Sequence, residues 1–321
     1  LVPLAVNICV IGDDLVRQLQ VAVLEGIDTT LYGRLHQAGH DQHVFVDMLK
    51  EYIAEHAPDT QIIELPAFHP TLFKSSKIRA ALEDPNAGFL LINKPSGEAS
   101  LRTVTALRKI TGIRQIGFAG TLDPLASGLL VCGISAATPL LDWWHFFAKT
   151  YEAEAQLGVT SDSYDSTGTM TPGSSLVPAE AEVEKALQQF FGPIVQEPPM
   201  YSAKKVDGTR LYKLARKGKS VQRKKQHITI HAIELLSYSH PYLRFRVICS
   251  SGTYIRSLVH DIGQVLGTGA VMTGLKRIAM GPFSLAEACA VSDVSQEAWQ
   301  EKLVGIERIR GEVIGLLSPD I

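Results

Sequence analysis

Apolar and polar positions along the chain predict strands and helices from one end to the other. The predicted strands share apolar runs or strict alternation, and they are residues 89–93, 129–131, 149–157, 243–249 and 274–283. The predicted helices share apolar residues at three- and four-residue spacing, and they are residues 100–112, 140–147, 181–190 and 257–266. The chain therefore mixes both kinds of element.

The first 87 residues predict a separate α/β unit, because strand-like and helical patterns alternate there. A charged linker with a proline and a glycine, residues 83–88, marks its end. Residues 73–79 faintly resemble the tail of nucleotidyltransferase-like domains, and a remnant of such a domain is one interpretation. The H-x-G-H-type motif of that class is missing, so we assign this unit no activity.

Composition indicates a soluble globular protein, since 45% of the 321 residues are hydrophobic and 20% are charged. No apolar run approaches the roughly 20 residues that span a bilayer, and the first residues lack a basic leader. We expect a cytoplasmic protein. The four cysteines are scattered without metal-ligand spacing, so we expect neither disulfides nor a metal site.

Charge is distributed unevenly along the chain. Residues 1–87 hold 6 Lys+Arg and 12 Asp+Glu, which leaves 31 − 6 = 25 against 33 − 12 = 21 for the remainder. Residues 201–225 contain ten basic residues and one acid, Asp207. A solvated helix face is the alternative, but such faces mix both signs, so we favour phosphate binding. The candidates for RNA contact in this insertion, residues 197–225, are Tyr201, Lys204, Lys217, Lys219 and Arg223.

Residues 117–128 read G-F-A-G-T-L-D-P-L-A-S-G, which places Asp123 on a loop among turn-forming residues. The residues alone leave open whether this carboxylate performs chemistry or only caps its own turn. Tyr151 likewise fits a cross-strand aromatic of a half-exposed strand. Arg256 falls near a predicted helix start, where the helix dipole disfavours a cation, so a carboxylate or phosphate partner is expected.

Five segments in this order resemble the TruB-type tRNA pseudouridine synthases between residues 88 and 291. They are N-K-P-S-G at 93–97, G-T-L-D-P-L-A-S-G at 120–128, K-T-Y-E-A-E-A-Q-L-G at 149–158, the run from P-P-M-Y-S to A-R-K-G at 198–218, and C-S-S-G-T-Y-I-R-S-L at 249–258. Matches of this length and order are specific to that family.

The resemblance implies an α+β, pseudouridine synthase-like catalytic domain with a mixed β-sheet at residues 88–291, after the N-terminal appendage. Residues 292–321 form a short C-terminal tail, and we expect no full PUA domain. The implied activity is isomerisation of the T-loop uridine, position 55 of tRNA, to pseudouridine. The implied partner is the T-arm of tRNA, with no cofactor, membrane or protein partner and a monomeric enzyme.

The resemblance also assigns roles to single residues. Asp123 would be the nucleophile, at the sugar C1′ or at C6 of the uracil. Tyr151 would stack on the base and help to move the proton at C5, and Arg256 would pair with Asp123 and favour its ionised form. Phe118 stands where the family has a histidine that helps to extrude the base. The remaining candidates for substrate binding are Lys94 and Tyr254.

Two other functions remain open at this point. Because phenylalanine cannot replace the hydrogen bonds of histidine, the chain could be an RNA-binding or tRNA-folding protein with weak isomerase activity. A bifunctional protein with a nucleotide-binding N-terminal unit is the second. Loss of function in Asp123→Ala would argue against the first, and absence of ATP-dependent stabilisation would argue against the second.

Overall fold

The computed structural model describes residues 75–309, apart from residues 146, 203, 207, 216–217 and 219–220. The chain divides into two compact units, and the described residues belong almost entirely to the second, Ala81–Arg308. The predicted N-terminal α/β appendage lies largely outside the described residues. Among those residues, no helix is long and apolar enough to cross a membrane.

The described part of the chain contains both α-helices and β-strands. The α-helices are α1 (Ser75–Glu83), α2 (Ser100–Thr111), α3 (Glu180–Gln188), α4 (Leu211–Ala215) and α5 (Ile255–Val265). The first strands are β1 (Gly88–Lys94), β2 (Ile116–Ala119), β3 (Ser127–Ile134), β4 (Lys149–Leu157), β5 (Val159–Ser161), β6 (Met170–Pro172) and β7 (Gly192–Gln196). The others are β8 (Lys205–Val206), β9 (Thr209–Arg210), β10 (Gln226–Ser239), β11 (Tyr242–Cys249), β12 (Ala270–Met280) and β13 (Phe283–Ser284).

Nine of the described strands form one sheet, with the central order β1-β3-β12-β4-β11-β10-β7. β2 pairs with β3, and β13 pairs with β12. The β3–β12 pair is parallel and the other pairs are antiparallel, so the sheet is mixed. The predicted α+β fold is confirmed. β7 and β10 were not predicted, and they extend the sheet beyond β11.

Residues on both sides of the expected boundary at 291 pack on the same unit. Val304 forms a bridge with Phe89, and Cys289 forms one with Ile92, so β1 is covered although it ends the sheet. Trp299 is buried nearby. The compact unit therefore continues to Arg308 because these residues cover an edge strand that would otherwise meet water.

The apolar segment predicted as a helix at residues 140–147 forms a 3₁₀ helix, Ser135–His145. Pro139 lies within it, and proline lacks the N–H that an α-helix needs at that position. Trp143 and Trp144 are buried, which agrees with their interpretation as core residues. This 3₁₀ helix, and not a regular α-helix, packs against β1, β2 and β3.

The core consists of two clusters of buried side chains. One joins α3 and α5 to strands β4, β10, β11 and β12, and the other joins α2 to β1, β2 and β3. The buried residues of α5, among them Ile255, Leu258, Val259 and Ile262, follow the helical repeat. Tyr151 packs against both clusters, so it lies where they meet.

Candidate active site

Asp123 lies on the loop between β2 and β3, as the sequence predicts. Ser100 Oγ, at the start of α2, donates to Leu122 O at 2.9 Å and accepts from the Leu122 N–H at 3.0 Å. The turn after β1 adds a bond from the Gly97 N–H to Pro124 O at 2.7 Å. The loop is thus fixed on both sides of Asp123, which gives the carboxylate a defined direction.

Arg256, the second residue of α5, holds the Asp123 carboxylate. Its Nε donates to Asp123 Oδ2 at 2.9 Å, and the arginine side chain is 5% exposed. The other guanidinium nitrogens donate to Ser163 O at 3.0 Å and to Tyr201 O at 2.8 Å. Asp123 is therefore the anionic partner that Arg256 was expected to have at this helix start. Through its other two bonds, the arginine also connects the Asp123 loop with the backbone at Ser163 and at Tyr201.

Asp165 is a second carboxylate on the same guanidinium. Asp165 Oδ2 lies 3.5 Å from Arg256 Nη1, and the Asp165 side chain is 6% exposed. It also accepts from Ser163 Oγ at 2.8 Å and from the Thr167 N–H at 3.0 Å. Arg256 is thus shared by two carboxylates in a largely buried network, where each charge depends on its partners.

The pKa of Asp123 lies above the ordinary value for an aspartate. Burial in the cavity wall has the largest effect, because it removes water from the carboxylate. The Arg256 guanidinium lowers this pKa, and the charge of Asp165 raises it. Arg256 therefore favours the ionised form, as expected, but offsets the effect of burial only in part.

Asp165→Asn is expected to move the acid limb of the pH–rate profile to lower pH. The change removes a negative charge that raises the pKa of Asp123, so the nucleophile stays ionised to a lower pH. The plateau rate should fall, because Arg256 loses one of its two carboxylate partners. Single-turnover rates across pH measure both effects. The matched control is Asp162→Asn, whose carboxylate accepts from Tyr201 and not from Arg256; a limb that moves upward in Asp165→Asn would contradict this prediction.

Tyr151 lies on β4 between β11 and β12, with Val247 and Arg277 as its register partners. It lines the same cavity as Asp123. Burial raises the pKa of its phenol, while the neighbouring Arg277 guanidinium lowers it. Tyr151 is therefore both a cross-strand aromatic and a cavity residue, so the two interpretations of the sequence are compatible.

Lys94 does not reach the cavity, although it was a candidate for substrate binding. Its side chain is fully buried, and its Nζ donates to Pro95 O at 2.8 Å and to Glu98 O at 2.6 Å. Burial lowers the pKa of this amine. Lys94 thus holds the turn that supports the Asp123 loop, and a direct contact of its amine with substrate stays a prediction.

Asp123, Tyr151 and Arg256 lie together in the wall of one cavity of about 1200 Å³. The predicted substrate contacts that also line it are Phe118, Tyr201, Lys204 and Tyr254. Within the described part of the chain, no group of three or more His, Cys, Asp or Glu residues could hold a metal ion. The cavity is large enough to receive a nucleotide turned out of an RNA strand.

Arg223 has a different place from the one predicted. Its guanidinium pairs with Glu197 and donates to Pro198 O at 3.1 Å, and its side chain is 17% exposed. It therefore anchors the basic segment to the domain, and its contact with an RNA phosphate stays a prediction. Lys217 and Lys219 lie outside the described residues.

Three charged residues of this site were missed at the level of sequence: Lys149, Asp165 and Arg277. Lys149 and Arg277 are buried members of β4 and β12, and both line the cavity. A charge that falls on the buried face of a strand was the available signal, since such a charge needs a reason. Asp165 lies in the polar loop between β5 and β6, and nothing in its local sequence distinguishes it from a surface aspartate.

Family models match most of this unit. One for the TruB family pseudouridylate synthase (N terminal domain) matches residues 108–255, and one for the tRNA pseudouridylate synthase B C-terminal domain matches residues 256–311. Curated relatives named tRNA pseudouridine synthase B agree. The Protochlamydia amoebophila protein is 48% identical over 62% of this chain and 76% of its own length. The Clostridium acetobutylicum protein is 41% identical over 69% and 76%, respectively.

Solved structures with the same fold come from larger assemblies. A chain in the crystal structure of a Cbf5-Nop10-Gar1 complex matches with a TM-score of 0.57 and 26% identity, over 73% of this chain and 64% of that chain. A chain in an H/ACA RNP bound to a substrate RNA containing 2'-deoxyuridine matches with a TM-score of 0.53 and 25% identity, over 70% and 61%. This chain spans less than two thirds of the length of either.

Proposed function

The chain belongs to the TruB family of pseudouridylate synthases, and from that premise we propose that it isomerises the T-loop uridine, position 55 of tRNA, with Asp123 as nucleophile. The observation that carries this proposal is the Asp123 carboxylate, bonded to Arg256 in the wall of a cavity that Tyr151 also lines. Activated carboxylates of this kind form covalent intermediates in enzymes. The family membership makes the chain an RNA isomerase that acts on tRNA.

The reaction requires the base to leave the RNA stack before any bond changes. A flipped uridine would enter the cavity with its sugar beside Asp123 and its base against Tyr151. Arg256 fixes the carboxylate and leaves part of it open to the cavity, since 38% of the Asp123 side chain is exposed. The nucleophile is thus directed and accessible at once.

Isomerisation then exchanges one bond to the sugar for another. In the C1′ route, the carboxylate attacks C1′ and the glycosidic electron pair leaves with N1 of the uracil. The base turns, C5 attacks C1′ and displaces Asp123, and C5 loses its proton while N1 gains one. Attack of the same carboxylate at C6 of the uracil is the other route. Both need Asp123 ionised, so both share the acid limb set by its raised pKa.

Recognition of the T-arm is proposed from the relatives, whose names specify tRNA, and from the cavity, which suits an unstacked loop base. We propose that Ala81–Arg308 is the catalytic unit and that it acts as a monomer. Phosphate contacts along the basic segment would position the arm, and the flipped base would specify the site.

The proposal is tested with unmodified tRNA transcripts and the full-length protein. Conversion of the T-loop uridine is expected in the intact transcript and in an isolated T-arm hairpin. A transcript with cytidine at that position should bind and yield no pseudouridine. Conversion at another uridine would overturn the assigned position, and tight binding without conversion would favour an RNA-binding or tRNA-folding protein.

Reversal of charge at Lys204 and Lys224 is expected to weaken tRNA binding and to reduce its salt dependence. Both side chains are exposed, and Lys204 lines the cavity. Each lost phosphate contact should lower the slope of log affinity against log salt by about 0.7 to 0.9. Filter binding of Lys204→Glu/Lys224→Glu at several salt concentrations measures this slope. The control is Lys185→Glu on α3, an exposed lysine that does not line the cavity; an equal effect there would contradict a specific contact.

Phe118→Ala is expected to slow conversion at saturating tRNA by roughly tenfold or more, if this ring fills the space left by the extruded base. Phe118 is half-buried at the end of β2, beside the Asp123 loop, and it lines the cavity. Phe118→His should retain most of the rate. Single-turnover kinetics with a fluorescent base next to the target measure flipping and chemistry separately. A normal flipping rate in Phe118→Ala would exclude this role.

A further inference from the structure

Arg277 is a buried arginine in the wall of the catalytic cavity. It is 1% exposed; its Nε donates to Leu129 O at 2.7 Å, and a terminal nitrogen donates to Gly120 O at 3.0 Å. Among the described residues, no Asp or Glu forms an ion pair with it. Two carbonyl oxygens satisfy hydrogen bonds, but they do not neutralise the charge of a buried guanidinium.

The surroundings of Arg277 add to this unbalanced charge. Lys94 and Lys149 are both buried, and the charge of Arg277 contributes to lowering the pKa of each amine. Burial is the larger cause, and it brings the pKa of Lys149 to about 7. A cation that repels its neighbours and has no ion-pair partner among the described residues is costly to bury. Such a site is suited to a negative charge that forms only during the reaction.

The backbone places Arg277 beside Tyr151 in a fixed register. β12 runs between β3 and β4, so Arg277 pairs with Gly128 on one side and with Tyr151 on the other. A Cβ at Gly128 would lie 2.3 Å from Arg277 O, so only glycine allows this close approach. The strand therefore cannot shift without breaking this contact, and Arg277 stays in register with Tyr151.

The groups that face the Tyr151 phenol come from three other elements: Arg277 from β12, Cys249 from β11 and Asp123 from its loop. Burial raises the pKa of the Cys249 thiol to about 11, so this group is neutral. Asp123 is an anion when it is active, and it opposes a second negative charge nearby. Arg277 is thus the cation among these groups that can stabilise a phenolate.

We propose that Arg277 is a positioning residue that stabilises the Tyr151 phenolate while the tyrosine transfers protons. The proposal rests on the isomerase function above. The detached uracil carries the glycosidic electron pair, and the phenol donates its proton to N1, which leaves a phenolate beside the guanidinium. After C5 bonds to C1′, the phenolate removes the C5 proton and the neutral phenol is restored. Protons and electron pairs balance, and no co-reactant is needed.

The activity test compares Arg277→Gln, which removes the charge, with Arg277→Lys, which keeps it. Single-turnover conversion should fall about 10²-fold or more in Arg277→Gln and less in Arg277→Lys, with tRNA affinity unchanged in both. The control is Arg244→Gln on β11, the strand on the other side of β4, whose exposed guanidinium pairs with Glu152 and Glu154. Equal rates in Arg277→Gln and wild type would overturn the proposal.

Two further measurements distinguish stabilisation of the Tyr151 phenolate from a merely structural role of Arg277. Carbon-13 NMR of labelled tyrosine follows the phenol, assigned by loss of its signal in Tyr151→Phe; its pKa should rise in Arg277→Gln and rise less in Arg277→Lys. Replacing Tyr151 by the more acidic 3-fluorotyrosine should restore part of the rate of Arg277→Gln and none of the rate of Asp123→Asn. An unshifted phenol titration in Arg277→Lys and Arg277→Gln would refute the proposal.

These outcomes separate the present inference from the proposed function. The NMR titration needs no substrate, so it reports the coupling of Arg277 to Tyr151 even if the T-loop uridine is not the target. Conversely, wild-type conversion with an unshifted phenol leaves the isomerase function standing and rejects the role of Arg277. If Arg277→Gln does not fold, the phenol titration and the single-turnover rate of Arg277→Lys test the proposal.

Discussion

Asp123→Asn is expected to abolish pseudouridine formation while the fold and tRNA binding are retained. Asparagine has the shape of aspartate, but its neutral amide cannot attack a sugar carbon or C6 of uracil. Loss of a covalent nucleophile costs about 10⁴-fold or more in rate. Tritium release from tRNA labelled at C5 of uridine measures it, because C5 loses its hydrogen when it bonds to C1′.

The stability of Asp123→Asn distinguishes this loss from misfolding. A raised pKa means that the ionised carboxylate is less favourable in the folded state than in the unfolded chain. Above the pKa of the folded state, ionised Asp123 therefore destabilises the fold, and this penalty disappears as pH falls. The asparagine variant should be as stable as wild type near neutral pH, or more stable. Inactivity together with lost stability would contradict this account, and so would tritium release that persists in the variant.

Arg256→Gln is expected to lose both activity and stability. Arg256 and Asp165 are 5% and 6% exposed, so removal of the arginine leaves a buried carboxylate without its cation. Breaking a buried pair in this way costs about 3 kcal/mol or more in the free energy of unfolding. The partly exposed Asp123 adds little to that figure, because water screens its charge. Urea unfolding monitored by circular dichroism measures the difference.

Arg256→Gln is also expected to change how the rate depends on pH. Without the guanidinium, the pKa of Asp123 rises further, so the acid limb of the pH–rate profile moves to higher pH. Arg256→Lys keeps the charge but not the several directed hydrogen bonds, and it should show the smaller limb shift. An acid limb that stays in place in Arg256→Gln would show that the two groups do not interact in the active enzyme.

The order of segments and the Asp123 loop were predictable from sequence because their signals are local. Glycine and proline define the loop, and apolar runs or apolar–polar alternation indicate β1, β3, β4, β11 and β12. The pairing of Arg256 with Asp123 joins residues more than a hundred positions apart, and it was predictable only through the family resemblance. The structure supplies the distance between them, 2.9 Å, and the exposure of each side chain.

What could not be predicted depends on tertiary contacts. β10 carries exposed and half-buried residues in an irregular sequence, and its pairing with β11 contains register shifts, so it lacks a clean alternation. The roles of Asp165 and Arg277 follow from neighbours brought in by other strands and loops. The raised pKa of Asp123 could not be predicted either. Burial has the largest effect on it, and the burial of this side chain is known only from the folded structure.

Site-resolved detection of pseudouridine on an unmodified tRNA transcript tests the central claim most directly. The transcript is incubated with the wild-type chain, with Asp123→Asn and with the control Asp162→Asn. The account predicts conversion of the T-loop uridine by wild type and by Asp162→Asn, and none by Asp123→Asn. Conversion by Asp123→Asn, or no conversion by a wild-type chain that binds the transcript tightly, would contradict it.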